Sequence, residues 1–157
     1  MTNQTVIDAP EGQRFLTITR TFDAPAALVA RAHIDPDLMP QWMVGANYET
    51  VITDFEARHG GKWGFLHKDP EGNEWEFRGV FHGDPSVDGI IRTFAFQMFP
   101  NDVCLESLTF SEENGKTTVH VESVFLSQEA RDGMVESMES GVLEGFERLD
   151  ELLAELQ

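Results

Sequence analysis

The chain has 157 residues and a net charge of −17, from 28 acidic residues against 11 lysines and arginines. Its length corresponds to one domain, and its 41% hydrophobic and 25% charged residues are typical of a folded globular protein rather than a disordered one. The acidic surplus argues against nucleic acid and anionic membranes as partners, because both are bound through basic faces.

The N-terminal part of the chain predicts an arm, a strand and two helices. Residues 1–13 are polar and irregular, and we expect a flexible arm before a single domain of residues 14–157. Alternating apolar residues predict a half-buried strand over Phe15–Phe22. The alanine-rich segment Ala26–Ile34 predicts a helix, and residues 36–43 predict a second short helix that is broken at its proline.

Further strands are predicted in the middle of the chain, at residues 48–58, 62–67, 74–82, 90–99, 103–110 and 117–125. Turn-forming sequences separate them, including Asp69-Pro70-Glu71-Gly72-Asn73 and Asn114-Gly115. Because tight turns join antiparallel neighbours, we expect an antiparallel sheet of about seven strands.

The C-terminal part predicts one long amphipathic helix over residues 128–156, with apolar residues at three- and four-residue spacing and acidic residues opposite them. Such a helix must lay its apolar stripe on the apolar face of the sheet. The order of elements therefore predicts an α+β helix-grip fold. In this fold a curved antiparallel sheet wraps around the C-terminal helix, and a cavity lies between them.

Several kinds of site and location are disfavoured by the sequence. The single Cys104 excludes an internal disulfide and a cysteine-based zinc site. No apolar run approaches the roughly 20 residues of a membrane span, and the N-terminus lacks the basic-then-apolar layout of a secretory signal. The common phosphate-binding, dinucleotide, metalloprotease and serine-hydrolase motifs are missing. We therefore expect a cytoplasmic protein without a cofactor or a metal.

Short motifs occur along the chain in a consistent order. They are Arg20-Thr21-Phe22-Asp23-Ala24-Pro25, Asp35-Pro36 with Gln41-Trp42, Glu56-Ala57-Arg58-His59-Gly60-Gly61, Gly79, Glu106-Ser107-Leu108-Thr109-Phe110, and Ser137-Met138-Glu139-Ser140-Gly141 with Arg148-Leu149. In this combination the chain resembles the START-related, Bet v 1-like superfamily, also called SRPBCC. Within it the motifs are similar to the branch named after the C-terminal domain of the Hsp90 ATPase activator. The resemblance covers the chain from about Phe15 to the C-terminus and implies a helix-grip fold.

Two positions depart from the pattern of that branch. Met43-Val44-Gly45 stand where relatives often have aromatic and Gly-Pro residues, and Val142 stands where many have tryptophan. Both positions line the mouth or floor of the expected cavity, so the ligand of a relative is not assumed. The chaperone role behind the branch name belongs to proteins with an additional domain and is not expected here.

Aromatic residues on the inner strand faces are the main candidate binding surface. The expected ligand-binding residues are Trp42, Met43, Trp63, Phe65, His67, Trp75, Phe77, Phe94, Phe96, Glu106, Met134, Met138 and Val142. A packed core would explain each aromatic residue singly. The architecture nevertheless leads us to expect a ligand-sized cavity, and flexible methionines suit an adaptable wall. We place Trp42 at the cavity entrance, because it lies between a helix break and a flexible segment.

Glu106 and His67 are the titratable candidates. Glu106 shares its strand face with Leu108 and Phe110, so it points inward if they do. A carboxylate on an apolar face must be paired or must take up a proton. It is therefore either a polar anchor or general base, or a structural partner of Arg92 or Arg20. His67 shares a face with two aromatic residues. The other histidines are expected to be solvated or to cap elements.

Two functions of different classes remain open. The first is the binding of a hydrophobic or aromatic small molecule between the sheet and the C-terminal helix. The alternative is a cyclase- or hydrolase-like enzyme with Glu106 or His67 as its acid–base group. The scarcity of polar residues on inner faces favours binding. A protein-interaction role of the acidic surface is a third possibility, and the protein is expected to be a monomer or a homodimer.

Overall fold

The structure, a computed structural model, describes residues 3–157. Within this range the strands are β1 (Val6–Asp8), β2 (Phe15–Phe22), β3 (Glu49–Phe55), β4 (Lys62–Lys68), β5 (Glu74–Val80), β6 (Ile90–Phe96), β7 (Cys104–Glu113) and β8 (Lys116–Phe125). The helices are α1 (Ala26–Ile34) and α2 (Gln128–Glu155), with a short 3₁₀ turn at Met39–Gln41.

The strands form one antiparallel sheet in the order β1-β2-β8-β7-β6-β5-β4-β3. Tight turns set this order, since β7 and β8 are joined through Asn114 and Gly115, which both have positive φ angles. Two successive residues with positive φ angles favour a two-residue hairpin turn. A long C-terminal helix follows the sheet, as the sequence predicted, and the α+β helix-grip fold is confirmed.

Two elements differ in kind from the sequence-based expectation, and strands β3, β6 and β7 each end three residues away from their predicted ends. The described part of the chain has an eighth strand, because Val6–Asp8 pairs with β2 inside the segment expected to be an arm. Met1 and Thr2, which also belong to that segment, lie outside the described residues. The second predicted helix is reduced to the 3₁₀ turn at Met39–Gln41, since Pro40 has no N–H to donate.

The main core lies between one end of the sheet and the C-terminal half of α2. This half packs mainly on β2 and β8, where its buried residues include Phe146, Leu149 and Leu153. Arg20 of β2 is 1% exposed beneath the helix. Its guanidinium lies 3.3 Å from the carboxylate of Glu147 and 3.4 Å from that of Asp150. These ion pairs help to fix the position of the helix across the sheet.

The N-terminal half of α2 is less buried than its C-terminal half. Met134, Met138 and Val142 pack against the core but are only partly buried. Strands β4, β5 and β6 lie toward the opposite end of the sheet from β2 and β8, on which the C-terminal half of α2 packs. The fold therefore leaves a second, partly open apolar region, and this region is where the candidate site lies.

Candidate functional site

Aromatic side chains cover the concave face of β4, β5 and β6. Strand register places Phe65 opposite Phe77, and Phe77 opposite Phe96. The ring centroids of Phe77 and Phe96 are 5.0 Å apart, and those of Phe65 and Phe77 are 5.5 Å apart. Phe94 joins them at 5.4 Å from Phe77 and 5.3 Å from Trp63. We call these five residues the aromatic wall.

Trp63 is held in place at the inner end of the aromatic wall. Its indole Nε1 donates to the carbonyl oxygen of Thr93 at 3.1 Å. The indole packs over Gly79, where a Cβ atom would lie only 2.7 Å from Nε1 and 1.8 Å from the Thr93 oxygen. Glycine is required at position 79 because strand β6 and the indole leave no room for a side chain.

Arg92 and Glu106 form an ion pair beside the aromatic wall. They are direct cross-strand partners on β6 and β7. Nε and Nη2 of Arg92 both donate to Oε1 of Glu106, at 2.8 and 2.7 Å. The guanidinium also lies 4.8 Å from the ring of Trp63, as in a cation–π contact. Glu106 therefore faces inward and is paired with Arg92, the first of the two structural partners proposed from the sequence.

His67 lies on the concave face at the outer end of the aromatic wall. Its ring centroid is 4.9 Å from that of Phe65 and 5.5 Å from that of Phe77, and its Nδ1 is 2.9 Å from the Thr50 hydroxyl. Burial lowers the pKa of His67 to about 4. The imidazole is therefore neutral at pH 7. Trp75 lies directly across from it on β5 and contacts Tyr48.

His33 is buried, which corrects the expectation that it is solvated or caps a helix. It is 7% exposed, and its ring contacts Trp42 and Phe110 at centroid distances of 4.9 and 5.4 Å. Burial lowers the pKa of His33 to about 4. The sequence carried one usable signal, because His33 lies four residues after the buried Val29, on the same face of α1.

Trp42, which the sequence led us to place at the cavity entrance, is also buried, at 7% exposure. Its indole Nε1 donates to the carbonyl oxygen of Ala32 at 2.9 Å, and its ring stacks on Phe146. The following residue, Met43, is partly buried against the core. Trp42 therefore belongs to the core cluster, and its place at the cavity entrance stays a prediction.

Most of the predicted site residues lie on one face of the sheet, and three others lie on α2. The aromatic wall, His67, Trp75 and Glu106 share the concave face, and Met134, Met138 and Val142 belong to the partly buried half of α2. The sequence did not single out Thr50 or Phe110, which complete the surroundings of the two neutral histidines. Among residues 3–157 there is no group of three or more metal-ligating side chains.

Two surface clefts lie outside the space between the sheet and α2. One, of about 420 Å³, is lined by residues 12–15 together with Glu122 and Val124. The other, of about 440 Å³, lies beside the loop between β6 and β7, and its lining includes Thr93, Ala95, Pro100 and one residue of the aromatic wall, Phe96. Neither cleft is lined by a residue of α2, so neither is the expected cavity between sheet and helix.

No helix in the described range is both long enough and apolar enough to cross a membrane.

Comparison with solved structures identifies the fold independently. A protein from Rhodobacter sphaeroides superposes with a TM-score of 0.86 at 22% identity, covering 96% of this chain and 99% of its own. Protein Ms6760 from Mycobacterium smegmatis superposes with a TM-score of 0.85 at 20% identity, covering 95% and 96%. A protein from Arthrobacter aurescens gives 0.85 at 22% identity, covering 96% and 91%. At these identities the likeness shows the fold alone.

Comparison with protein families identifies the lineage. No curated protein sequence matches this chain. The sequence model described as "Activator of Hsp90 ATPase homolog 1-like protein" matches residues 23–154, from the segment before α1 to the end of α2. This match confirms the resemblance inferred from the motifs. The chain therefore belongs to the Activator of Hsp90 ATPase homolog 1-like family, within the SRPBCC, Bet v 1-like group.

Proposed function

We propose that the protein binds a hydrophobic or aromatic small molecule between the aromatic wall and the N-terminal half of α2. The observation that carries this proposal is the incomplete burial of the wall, since Phe77, Phe94 and Phe96 face inward but are only partly buried. An apolar molecule bound there would remove the remaining aromatic surface from water. The fold of this family commonly binds hydrophobic ligands, which supports the same conclusion.

The other side of the proposed site suits ligands of more than one shape. Met134 and Met138 lie on the partly buried half of α2, and methionine side chains adapt to irregular partners. Gly141, which is partly buried on the same half of α2, has no atoms within 4 Å of the position where a Cβ would stand. The helix therefore offers room and flexible side chains opposite a rigid aromatic surface.

The charge on the concave face favours an uncharged ligand. Arg92 and Glu106 neutralise one another through their two hydrogen bonds, and His67 is neutral at pH 7. The face therefore has no net charge, although the whole chain carries −17. An ionised ligand would have to lose its hydration there without gaining a counter-charge. We propose no nucleic acid or membrane partner, a monomer or homodimer, and a location in the cytoplasm.

Titration with naphthalene, followed by tryptophan fluorescence and calorimetry, tests the proposal. Phe77→Ala should weaken naphthalene binding roughly tenfold, because a phenyl ring's contact area is lost from the site. Leu105→Ala is the matched control, since Leu105 lies on the opposite face of the sheet and is 49% exposed. It should leave the affinity unchanged. Equal affinities of the wild type and Phe77→Ala would place the binding site elsewhere.

Native mass spectrometry of the purified protein complements the titration. A co-purified small molecule would show itself as a mass above that of the chain, and Phe77→Ala should reduce its occupancy. The bound mass would also give the first constraint on the ligand's identity.

The catalytic alternative has less support. Glu106 accepts two hydrogen bonds from Arg92, which favours an anchoring role over proton transfer. His67, with its pKa lowered to about 4, would be a weak base at pH 7. Burial raises the pKa of the Cys104 thiol to about 12, so this cysteine stays protonated and is a poor nucleophile. These features point to a site that holds a molecule rather than one that transforms it.

A further inference from the structure

A row of polar side chains crosses the concave face on three neighbouring strands. Strand register places Arg92 of β6 opposite Glu106 of β7, and Glu106 opposite Ser123 of β8. The residues that flank Glu106 on the same face of β7, Cys104 and Leu108, are apolar and buried. Because β7 lies between β6 and β8, this polar row is in the interior of the sheet and not at its edge.

Arg92 occupies only one of the two oxygens of the Glu106 carboxylate. Nε and Nη2 of Arg92 lie 2.8 and 2.7 Å from Oε1 of Glu106, and no group in the described chain donates to Oε2. In that part of the chain, the side-chain nitrogen and oxygen atoms that are both buried and without a hydrogen-bond partner belong to Arg20 and His33 alone. Oε2 of Glu106 is therefore accessible. The same reasoning makes the hydroxyl of Ser123 accessible, although the rest of this residue is buried.

The exposed part of the ion pair opens beside the aromatic wall. The side chains of Arg92 and Glu106 are 12% and 15% exposed. Both strands have a neighbour on each side, so this exposure lies on the concave face toward which the two side chains point. The guanidinium packs over Trp63, and Phe94, two residues along β6 on the same face, is partly buried. The space that admits water to the carboxylate therefore adjoins the proposed site of the apolar ligand.

An accessible carboxylate oxygen next to a hydroxyl defines the chemical group that fits there. An anion would be repelled by Oε2 of Glu106, and a cation would meet the guanidinium of Arg92, which already neutralises the carboxylate. Side chains directly opposite one another on adjacent strands have Cβ atoms about 5 Å apart, so one ligand atom can reach both Glu106 and Ser123. A hydroxyl can donate to Oε2 and accept from Ser123 through one oxygen, whereas an ether or a carbonyl oxygen can only accept.

We infer that the ligand carries an uncharged hydroxyl group, which donates a hydrogen bond to Oε2 of Glu106 and accepts one from the hydroxyl of Ser123. The inference rests on the proposed function, because it assigns a ligand class to the same site. The aromatic wall holds the apolar body of the ligand. The polar row selects hydroxylated molecules and sets their orientation against the wall.

Three probes with the same rings test the role of the hydroxyl. 2-Naphthol has a donor, 2-methoxynaphthalene has the oxygen without its hydrogen, and naphthalene has neither. Wild-type protein should bind 2-naphthol roughly tenfold more tightly than either of the others, because a hydrogen bond to a charged group allows a factor of this size. Ser123→Ala should reduce this preference, since it removes the second partner of the hydroxyl. An unchanged preference in Ser123→Ala would contradict the role of Ser123.

Replacing the ion pair as a whole removes the acceptor without leaving an unpaired charge. The double variant Arg92→Met with Glu106→Met has side chains of similar length, and exchanges of this kind are often neutral for stability. It should bind the three probes with affinities within about twofold of one another. Glu122→Gln is the matched control, because it also removes a carboxylate, but from the exposed face of β8 next to Ser123. It should retain the preference for 2-naphthol.

A second measurement does not depend on any variant folding correctly. In wild-type protein with ¹³C-labelled glutamate, the carboxylate resonance of Glu106 should shift when 2-naphthol is added and should shift much less with 2-methoxynaphthalene. If the three probes bind wild type equally, or if the double variant keeps the preference for 2-naphthol, the inference is wrong and the proposed function stands. If none of the probes binds, the proposed function fails and the inference fails with it.

Discussion

At the scale of single residues, the aromatic wall depends on a position without a side chain. Gly79→Ala would place a Cβ atom 1.8 Å from the Thr93 oxygen and 2.7 Å from Trp63 Nε1. Both neighbours are backbone or tightly held groups, so strand β6 and the indole must move apart. We expect a loss of about 2–3 kcal/mol in the free energy of unfolding, measured with urea. Val80→Ala, at the exposed next position, should cost less than about 1 kcal/mol.

The buried His33 predicts a specific dependence of stability on pH. Its pKa is about 4 in the folded protein and near 6.5 in the unfolded chain. As the pH falls, the unfolded state therefore binds the proton before the folded state does. The stability that neutral His33 contributes is fully present above pH 6.5 and is lost between pH 6.5 and 4. Lowering the pH from 7 to 5 should reduce the free energy of unfolding by about 2 kcal/mol from His33 alone.

Urea denaturation of His33→Phe at the same two pH values is the control. The variant should lose about 2 kcal/mol less than the wild type over this interval, because phenylalanine does not titrate. His67 contributes in the same direction in both proteins, since burial also lowers its pKa to about 4. An identical pH dependence in the variant and the wild type would show that His33 is not the group that takes up the proton.

The burial of a residue could be predicted from the sequence where a local pattern determines it, and could not where contacts between distant elements determine it. Strand alternation has a period of two, so it predicted that Trp63, Phe77 and Glu106 point inward without knowledge of the tertiary structure. His33 was expected to be solvated or to cap its helix, and Trp42 was expected at the cavity entrance, and both are buried. Their positions depend on contacts between the end of α1 and the following turn, which no local pattern encodes.

At the scale of elements, α2 is divided into two parts with different environments. Gly145 lies where the helix approaches the loop after the 3₁₀ turn, and an added Cβ would lie 3.0 Å from the Trp42 oxygen. Arg148 donates to the Val44 carbonyl one turn later, which ties the same loop to the helix. Gly141, one turn earlier, has nothing within 4 Å of its Cβ position. Gly145 therefore permits the close approach of helix and loop, whereas Gly141 borders open space.

Alanine at these two glycines should therefore have opposite effects. Gly141→Ala should stabilise the protein by about 0.5–1 kcal/mol, because alanine lowers the conformational freedom of the unfolded chain and meets no neighbour. Gly145→Ala should destabilise it by about 1 kcal/mol, since the contact with the Trp42 oxygen outweighs the same gain. Thermal and urea denaturation of both variants would check this. Equal effects would mean that the helix does not approach the loop as described.

The type of an element could be predicted where a periodic pattern was long, and the prediction failed where the pattern was short. The 28-residue helix α2 and the two 10-residue strands β7 and β8 have repeating patterns that indicate their type. Strand β1 has only three residues, which is too short for a periodic pattern. It is held as a strand by its pairing with β2. Arg131 adds to this, because it donates to the carbonyl oxygens of Pro10 and Phe15 and fixes the segment between the two strands.

At the scale of the whole molecule, the candidate site is neutral inside a strongly acidic protein. The ion pair and the neutral His67 lie on the concave face, whereas acidic residues line the solvent-facing side of α2. Composition predicted the acidic surface, but a count of charges could not show that the site is electrically balanced. That balance depends on the register that sets Arg92 opposite Glu106.

The excess of acidic residues predicts that salt stabilises the fold. A net charge of −17 on one small domain produces repulsion that is relieved when the chain unfolds and expands. Raising the ionic strength from about 0.01 M to 0.15 M shortens the screening distance from about 30 Å to 8 Å, which weakens this repulsion. A gain of about 1 kcal/mol would raise the melting temperature by roughly 2–4 °C for a domain of this size.

A variant with fewer charges separates this repulsion from other effects of salt. Glu136, Glu139 and Glu151 are exposed on α2, and no ion pair within 4 Å involves them in the described chain. Replacing all three with glutamine should raise the melting temperature at low salt and reduce the further rise on adding sodium chloride, because fewer like charges remain to be screened. A melting temperature that falls with salt in the wild type would contradict the prediction. It would mean that screened ion pairs, such as those of Arg20 with Glu147 and Asp150, outweigh the surface repulsion.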